Sequence, residues 1–261
     1  MLILFTASAI IIYLAAAVMQ VKNLQQGNRF SPTKVKGIAL AAFAAHSYAV
    51  FLDLHRPMGI HLDFFSVGSL IAWLVVAMVL LSSLRQRIDN LFIGVFPMAA
   101  ISLIFALFAP DTNIAKDFET GLVIHILLSI MAYSIFTLSV FQAVLLAKQE
   151  YQLKHHHTRG LIKSLPPLQI MEKLLFEMIW TGFILLTASL VTGFLVFDDL
   201  FAQHLVHKTA LSIIAWLLYV VLLIGRHVMG WRSQKAVRWT VGSFTLLMLA
   251  FFGSKFVLEL L

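Results

Sequence analysis

Eight long apolar runs occupy almost the whole of this 261-residue chain. They cover residues 1–21, 35–54, 64–84, 91–109, 121–147, 174–197, 207–226 and 239–261. A helix needs about 20 apolar residues to cross a hydrocarbon layer about 30 Å thick, and each run meets that length. Backbone polar groups in lipid must be satisfied internally, so only helices and closed barrels span a membrane. Barrel strands are about 10 residues long and alternate in and out. These runs are continuous and twice as long. The expected fold is therefore all-α: a polytopic membrane protein, a bundle of eight transmembrane helices. The connectors are short, which leaves no room for a separate soluble domain and gives one integral-membrane domain over 1–261.

Charge supports the same picture. The chain is 61% hydrophobic and only 12% charged, with a net charge of +7. The connectors after runs 1, 3, 5 and 7 and their flanks hold 15 of the 19 Lys and Arg residues. The even-numbered connectors instead collect Asp53, Asp63, Asp111, Asp117, Glu119, Asp198 and Asp199. The positive-inside rule then places the odd connectors in the cytoplasm and both termini outside. The basic excess reads as topology and lipid contact, and no nucleic-acid partner is expected. Run 1 lacks the basic segment that opens a signal peptide and is too long for a signal core, so it reads as a retained first helix. There are no cysteines. That excludes disulfides, thiolate metal sites and covalent attachment of haem to this chain.

Helix breakers mark several connectors. Pro57 and Gly59 lie in connector 2, 53–63, and Pro166 and Pro167 in connector 5, 148–173. Connectors 4 and 6 cover 110–120 and 198–206. Pro97 lies inside run 4, where it would kink a helix. Gly182 and Gly193 would permit close packing in run 6.

Histidine is the richest chemical signal, with ten copies in a chain poor in polar groups. His46 falls in mid-membrane. An ionisable residue there is costly, so it is either functional or a neutral imidazole bonded to a neighbouring helix. His125 lies near the outer end of run 5, and His207 opens run 7 beside Lys208. His55, His61 and His204 fall in outer connectors. His155, His156 and His157 read as part of a solvated basic connector. A neutral imidazole is a good axial ligand for haem iron, and the same donors suit zinc or copper. No HxxxH or ExxH pair places two ligands on one helix face. No nucleophile elbow, phosphate loop or transmembrane carboxylate pair is present, and Glu177 reads as a snorkelling residue. Asp63 and Lys208, near outer helix ends, could pair. Tryptophans 73, 180, 216, 231 and 239 include interfacial anchors.

Two segments carry a family resemblance. Run 5, with His125, Tyr133 and the stretch from Gln142 to Leu153, resembles the helix that opens the core of the CcsA/CcmC cytochrome c assembly family. The stretch 208–253 resembles the end of that core: KTALSIIAWLLYV, then Gly230–Trp231 with Arg232, then a last helix closing on FFG. The chain is most similar to the small eight-helix YpjD/HemX-like branch, along nearly its whole length and most specifically over 121–261. The family's tryptophan-rich outer loop should precede Lys208, where this chain reads GFLVFDDLFAQHLV. His125 matches the family's first outer histidine. The family's membrane histidine falls near Ile224, and its second outer histidine would lie beyond residue 261.

The resemblance implies a bacterial inner-membrane accessory protein of the cytochrome c assembly class. It would bind or present haem at the outer face and would not be an enzyme. His125, His46 and His207 are the expected cofactor-binding residues, with His125 and His207 as ligands to the haem iron. The expected partners are the lipid bilayer, haem and another membrane protein. A rival reading is a non-haem interaction or regulatory subunit of another membrane complex, built on the same scaffold.

Overall fold

The computed structural model describes residues 1–26, 30–56, 59–60, 64–84, 88–108, 120–155, 165–196 and 206–253. Eight helices carry the chain: α1 (Leu2–Gln26), α2 (Pro32–Leu54), α3 (Phe64–Ser83), α4 (Phe92–Leu107), α5 (Thr120–Lys154), α6 (Leu168–Val196), α7 (Val206–Met229) and α8 (Gln234–Met248). With the short turns at its ends included, every one yields a span long and apolar enough to cross a membrane. The all-α, eight-helix reading is thus what the structure shows. A two-residue antiparallel pairing, β1 (His55–Arg56) with β2 (Gly59–Ile60), closes the turn after α2. A 3-10 turn, Asp89–Leu91, leads into α4, and a π-helical turn, Leu249–Gly253, extends α8. The expectations at His61, Asp63, His156, His157 and His204, and the acidic residues 111, 117, 119, 198 and 199, lie outside the described residues.

The helices form two compact units, α1 to α4 and α5 to α8. In the first unit α1 packs against α2 and α4, and α3 against α2 and α4. Ala9 and Ala16 of α1 and Ala39 and Ala42 of α2 are fully buried. Small side chains let helix backbones approach closely, which matters in lipid because association there rests on van der Waals packing. Tyr13, Phe92 and Phe96 fill the remaining interior, with ring centroids 5.5 Å apart for Tyr13–Phe96 and 4.7 Å for Phe92–Phe96. Ile3, Leu4 and Ile11 point outward, as lipid-facing residues should. Trp73 Nε1 donates to Ser47 Oγ at 2.7 Å, and Ser66 Oγ donates to Asp53 at 2.6 Å. At the opposite end Lys36 bridges Asp89 at 3.1 Å and donates to the Ser83 carbonyl at 2.6 Å.

In the second unit α5 packs on α6 and α8, and α7 on α8 and α6. Glycine sets three of the close approaches. A Cβ on Gly182 would lie 2.8 Å from the Phe136 ring, and Phe136 in turn stacks on Tyr219 at 4.0 Å. A Cβ on Gly225 would lie 2.5 Å from Trp231, and one on Gly193 would lie 3.0 Å from the His125 ring. Tyr133 donates its hydroxyl hydrogen to the Leu247 carbonyl at 2.6 Å, two residues before the π-helical turn.

The helix ends differ from the sequence expectation where helices outrun the bilayer. Residues 148–173 read as connector, yet α5 continues to Lys154 and α6 begins at Leu168. Polar residues do not break a helix; they only end its apolar stretch. Pro167 fixes the start of α6 and accepts from the main-chain nitrogens of Ile170 and Met171, in keeping with the preference of proline for first helical turns. Pro97 sits within α4.

Candidate functional site

His125 lies in the second turn of α5 and leans across to α6. Its Nδ1 stands 2.8 Å from the Ser189 carbonyl oxygen. A carbonyl can only accept, so Nδ1 carries the proton and Nε2 holds the lone pair of the neutral ring. This arrangement is the usual support of a metal-bound histidine: the second nitrogen donates to a carbonyl, which fixes the tautomer and the ring plane. Neighbouring hydroxyls tighten the seat. Ser129 Oγ donates to the His125 carbonyl at 2.8 Å, and lies 2.7 Å from Ser189 Oγ. Thr192 Oγ1 lies 3.5 Å from His125 Nδ1. Gly193 leaves the space the ring occupies.

A cation stands nearby. Lys208, in the first turn of α7, lies within electrostatic range of His125, and its Nζ sits 5.1 Å from the centre of the Phe251 ring. Phe251 belongs to the π-helical turn and packs 5.3 Å from Tyr133. The end of the second unit thus gathers an imidazole of fixed tautomer, hydroxyl groups, aromatic rings and one lysine. His207 is exposed at the start of α7.

His46 is fully buried in the first unit, and it turns inward as the cost of a lone imidazole in lipid requires. Both ring nitrogens are engaged: Nδ1 with Tyr13 Oη of α1 and Nε2 with Ser69 Oγ of α3, each at 3.2 Å. As a ligand it would have to release one of them. Ser69 also lines a small cleft with Thr6 and Asp53. His55 is exposed and spent locally, with Nδ1 3.1 Å from the Phe51 carbonyl and its ring stacked on Phe51. His155 repeats that arrangement on Tyr151. Among the described residues no three His, Asp or Glu side chains gather into a metal cage. A haem needs fewer protein ligands than a metal cage, because the macrocycle supplies four donors and the protein only the axial ones.

A second polar cluster was not anticipated. Glu172 of α6 is buried, and its Oε1 accepts from Arg226 and, at 3.2 Å, from Arg232 Nε. Arg226 also donates to the Trp231 carbonyl at 3.1 Å and lies over the Phe176 ring at 4.6 Å. Glu177 pairs with Lys173 at 3.8 Å on an exposed face. A signal for Glu172 existed. The buried positions of α6 include Leu175, Ile179, Gly182, Leu186 and Ser189. One further turn toward the helix start, the same face reaches Met171 and Glu172.

The family model for cytochrome C assembly proteins matches residues 38–261, running through both helical units. The chain belongs to the cytochrome C assembly protein family. Among its relatives is the inner membrane protein YpjD of Escherichia coli K12, 30% identical over 262 residues and 98% of each chain. Protein HemX of Brevibacillus brevis is 25% identical over 252 residues, 94% of this chain and 92% of its own. No solved structure matches. The YpjD/HemX-like resemblance, read along nearly the whole chain and most specifically over 121–261, is thereby shown.

Proposed function

We propose that this family member is an inner-membrane accessory protein of cytochrome c assembly that binds haem and presents it at the outer face. The observation that carries the reading is the His125–Ser189 bond, because it fixes the tautomer and the plane of the ring in the way that a metal-bound histidine is supported. The donor set fits. His125 would hold the iron through its imidazole, His207 is the next candidate ligand on α7, and Lys208 would set a positive charge near the carboxylates of the group. Phe251, with the buried Tyr133 ring packed behind it, supplies apolar ring surface beside Lys208. Haem contributes the redox-active iron when bound. The chain's part is to hold the ring, exclude water from its apolar faces and keep the His125 tautomer fixed. This role is binding without turnover, and no residue is assigned to catalysis. His46 serves in this reading as a structural link of the first unit. By the positive-inside rule this reading turns the Lys154 end of α5 and the Met229 end of α7 toward the cytoplasmic side, with both termini outside.

An absorption spectrum of protein purified after haem supplementation tests the proposal. A Soret band that His125→Ala abolishes and His155→Ala leaves intact supports it; no band at all overturns it. The rival reading, an interaction subunit without haem, draws on one observation: no tryptophan occurs between Trp180 and Trp216, where the family's haem-presenting loop should lie.

A further inference from the structure

The Glu172 cluster has more positive charge than its carboxylate needs. Arg226 is turned inward and used up by Glu172, the Trp231 carbonyl and the Phe176 ring. Arg232 gives only Nε to Glu172, and its side chain is 61% exposed. Its guanidinium therefore keeps outward-facing donors in a planar fork that matches phosphate oxygens. Lys235, three residues further along the chain, stands over the Trp231 ring, 6.0 Å from its centre. Here α8 begins with an uncapped first turn: Ser233 makes no side-chain cap bond, and its Oγ is buried without a partner among the described residues. Unpaired main-chain N–H groups at a helix start favour an anion, and here they reinforce cationic side chains already in place.

The surroundings identify the source of the anion. The last residues of α7, Val228 and Met229, are 76% and 70% exposed. Apolar side chains so open to their surroundings belong against acyl chains. Trp231 and Trp239 pack together at 5.3 Å just beyond them, and tryptophan prefers the level of the headgroups. The cations thus stand one turn past the hydrocarbon boundary, where lipid phosphates lie.

We infer that Arg232, Lys235 and the start of α8 form a headgroup site for an anionic phospholipid, with Glu172 and Arg226 holding Arg232 in position. The lipid phosphate meets the free edge of Arg232 and the Lys235 ammonium, while its acyl chains lie along the exposed end of α7. A zwitterionic lipid offers the same phosphate but carries its own cation, which opposes the local charge.

The test uses the full-length protein in nanodiscs of equal phosphatidylglycerol and phosphatidylcholine. It is then released into mild detergent, and its retained lipids are counted by native mass spectrometry. Phosphatidylglycerol is expected to be enriched severalfold. Arg232→Gln and Lys235→Gln should each lower that enrichment about fivefold, the effect of one cation near an anionic membrane surface. Lys173→Gln, which removes an exposed cation paired with Glu177, should leave it unchanged. Lys235→Gln spares the Glu172 contacts, so its result does not depend on the stability of the clamp. Equal retention of the two lipids, or enrichment that survives both substitutions, overturns the proposal. So does inorganic phosphate that raises the unfolding midpoint as much as phosphatidylglycerol does, which would make the ligand a soluble phosphate.

Discussion

His125 and Ser189 are joined across 2.8 Å, ring nitrogen to main-chain oxygen, from the second turn of α5 to the C-terminal half of α6. A main-chain acceptor cannot be removed by substituting Ser189, so the ring is best disturbed through the space it occupies. Gly193→Val should push the imidazole aside, since even a Cβ there would lie 3.0 Å from Cε1. The expected outcome is loss of most of the Soret absorbance with helix content unchanged by circular dichroism. Gly37→Ala, where nothing lies within 4 Å, is the control.

His46→Leu should lower stability without affecting haem absorbance. It leaves Tyr13 and Ser69 without the partner each now has at 3.2 Å. Hydrogen bonds between membrane helices average well under 1 kcal/mol, but orphaned buried donors add to the loss, so about 1–2 kcal/mol is expected. The midpoint of unfolding in mixed detergent measures it. An unchanged midpoint would show that water replaces the lost partner.

Glu172→Gln should be costlier. Removing one member of a buried ion pair strands the other charge, typically at 3–5 kcal/mol. Arg226 and Arg232 keep access to solvent, with 29% and 61% of their side chains exposed, so about 2 kcal/mol is expected here. Glu172→Asp should recover little, because the shorter arm withdraws the carboxylate. Equilibrium unfolding of the three proteins side by side makes the comparison.

These three sites differ in how far the sequence revealed them. The spans were plain because a continuous apolar run of that length has few other uses. His46 was recognisable as interior because an imidazole in lipid is so costly, yet Tyr13 and Ser69 could not be named, since partners on other helices follow from packing. His125 was marked by position and resemblance, but its tautomer depended on Ser189, 64 residues away. Glu172 was missed because hydropathy ended the span at residue 174, while the helix continues back to Leu168 and its buried face to Met171.

Topology gives a prediction of another kind. A reporter fused after Gln152 should be active as a cytoplasmic marker, and one fused after Ala202 as an exterior marker, because the basic residues gather on the Gln152 side. The same location for both would contradict the assignment of sides.

The Glu172 clamp also constrains how the chain is made. Glu172 precedes Arg226 by 54 residues and Arg232 by 60. At about 5–20 residues per second, synthesis leaves the carboxylate without either arginine for roughly 3–11 s. During that interval the start of α6 must keep Glu172 in contact with water, so the helix enters the bilayer shallow and settles only when the following hairpin arrives. A ribosome stalled between these codons would therefore hold α6 in a raised position, and the second unit would close from its last hairpin backward.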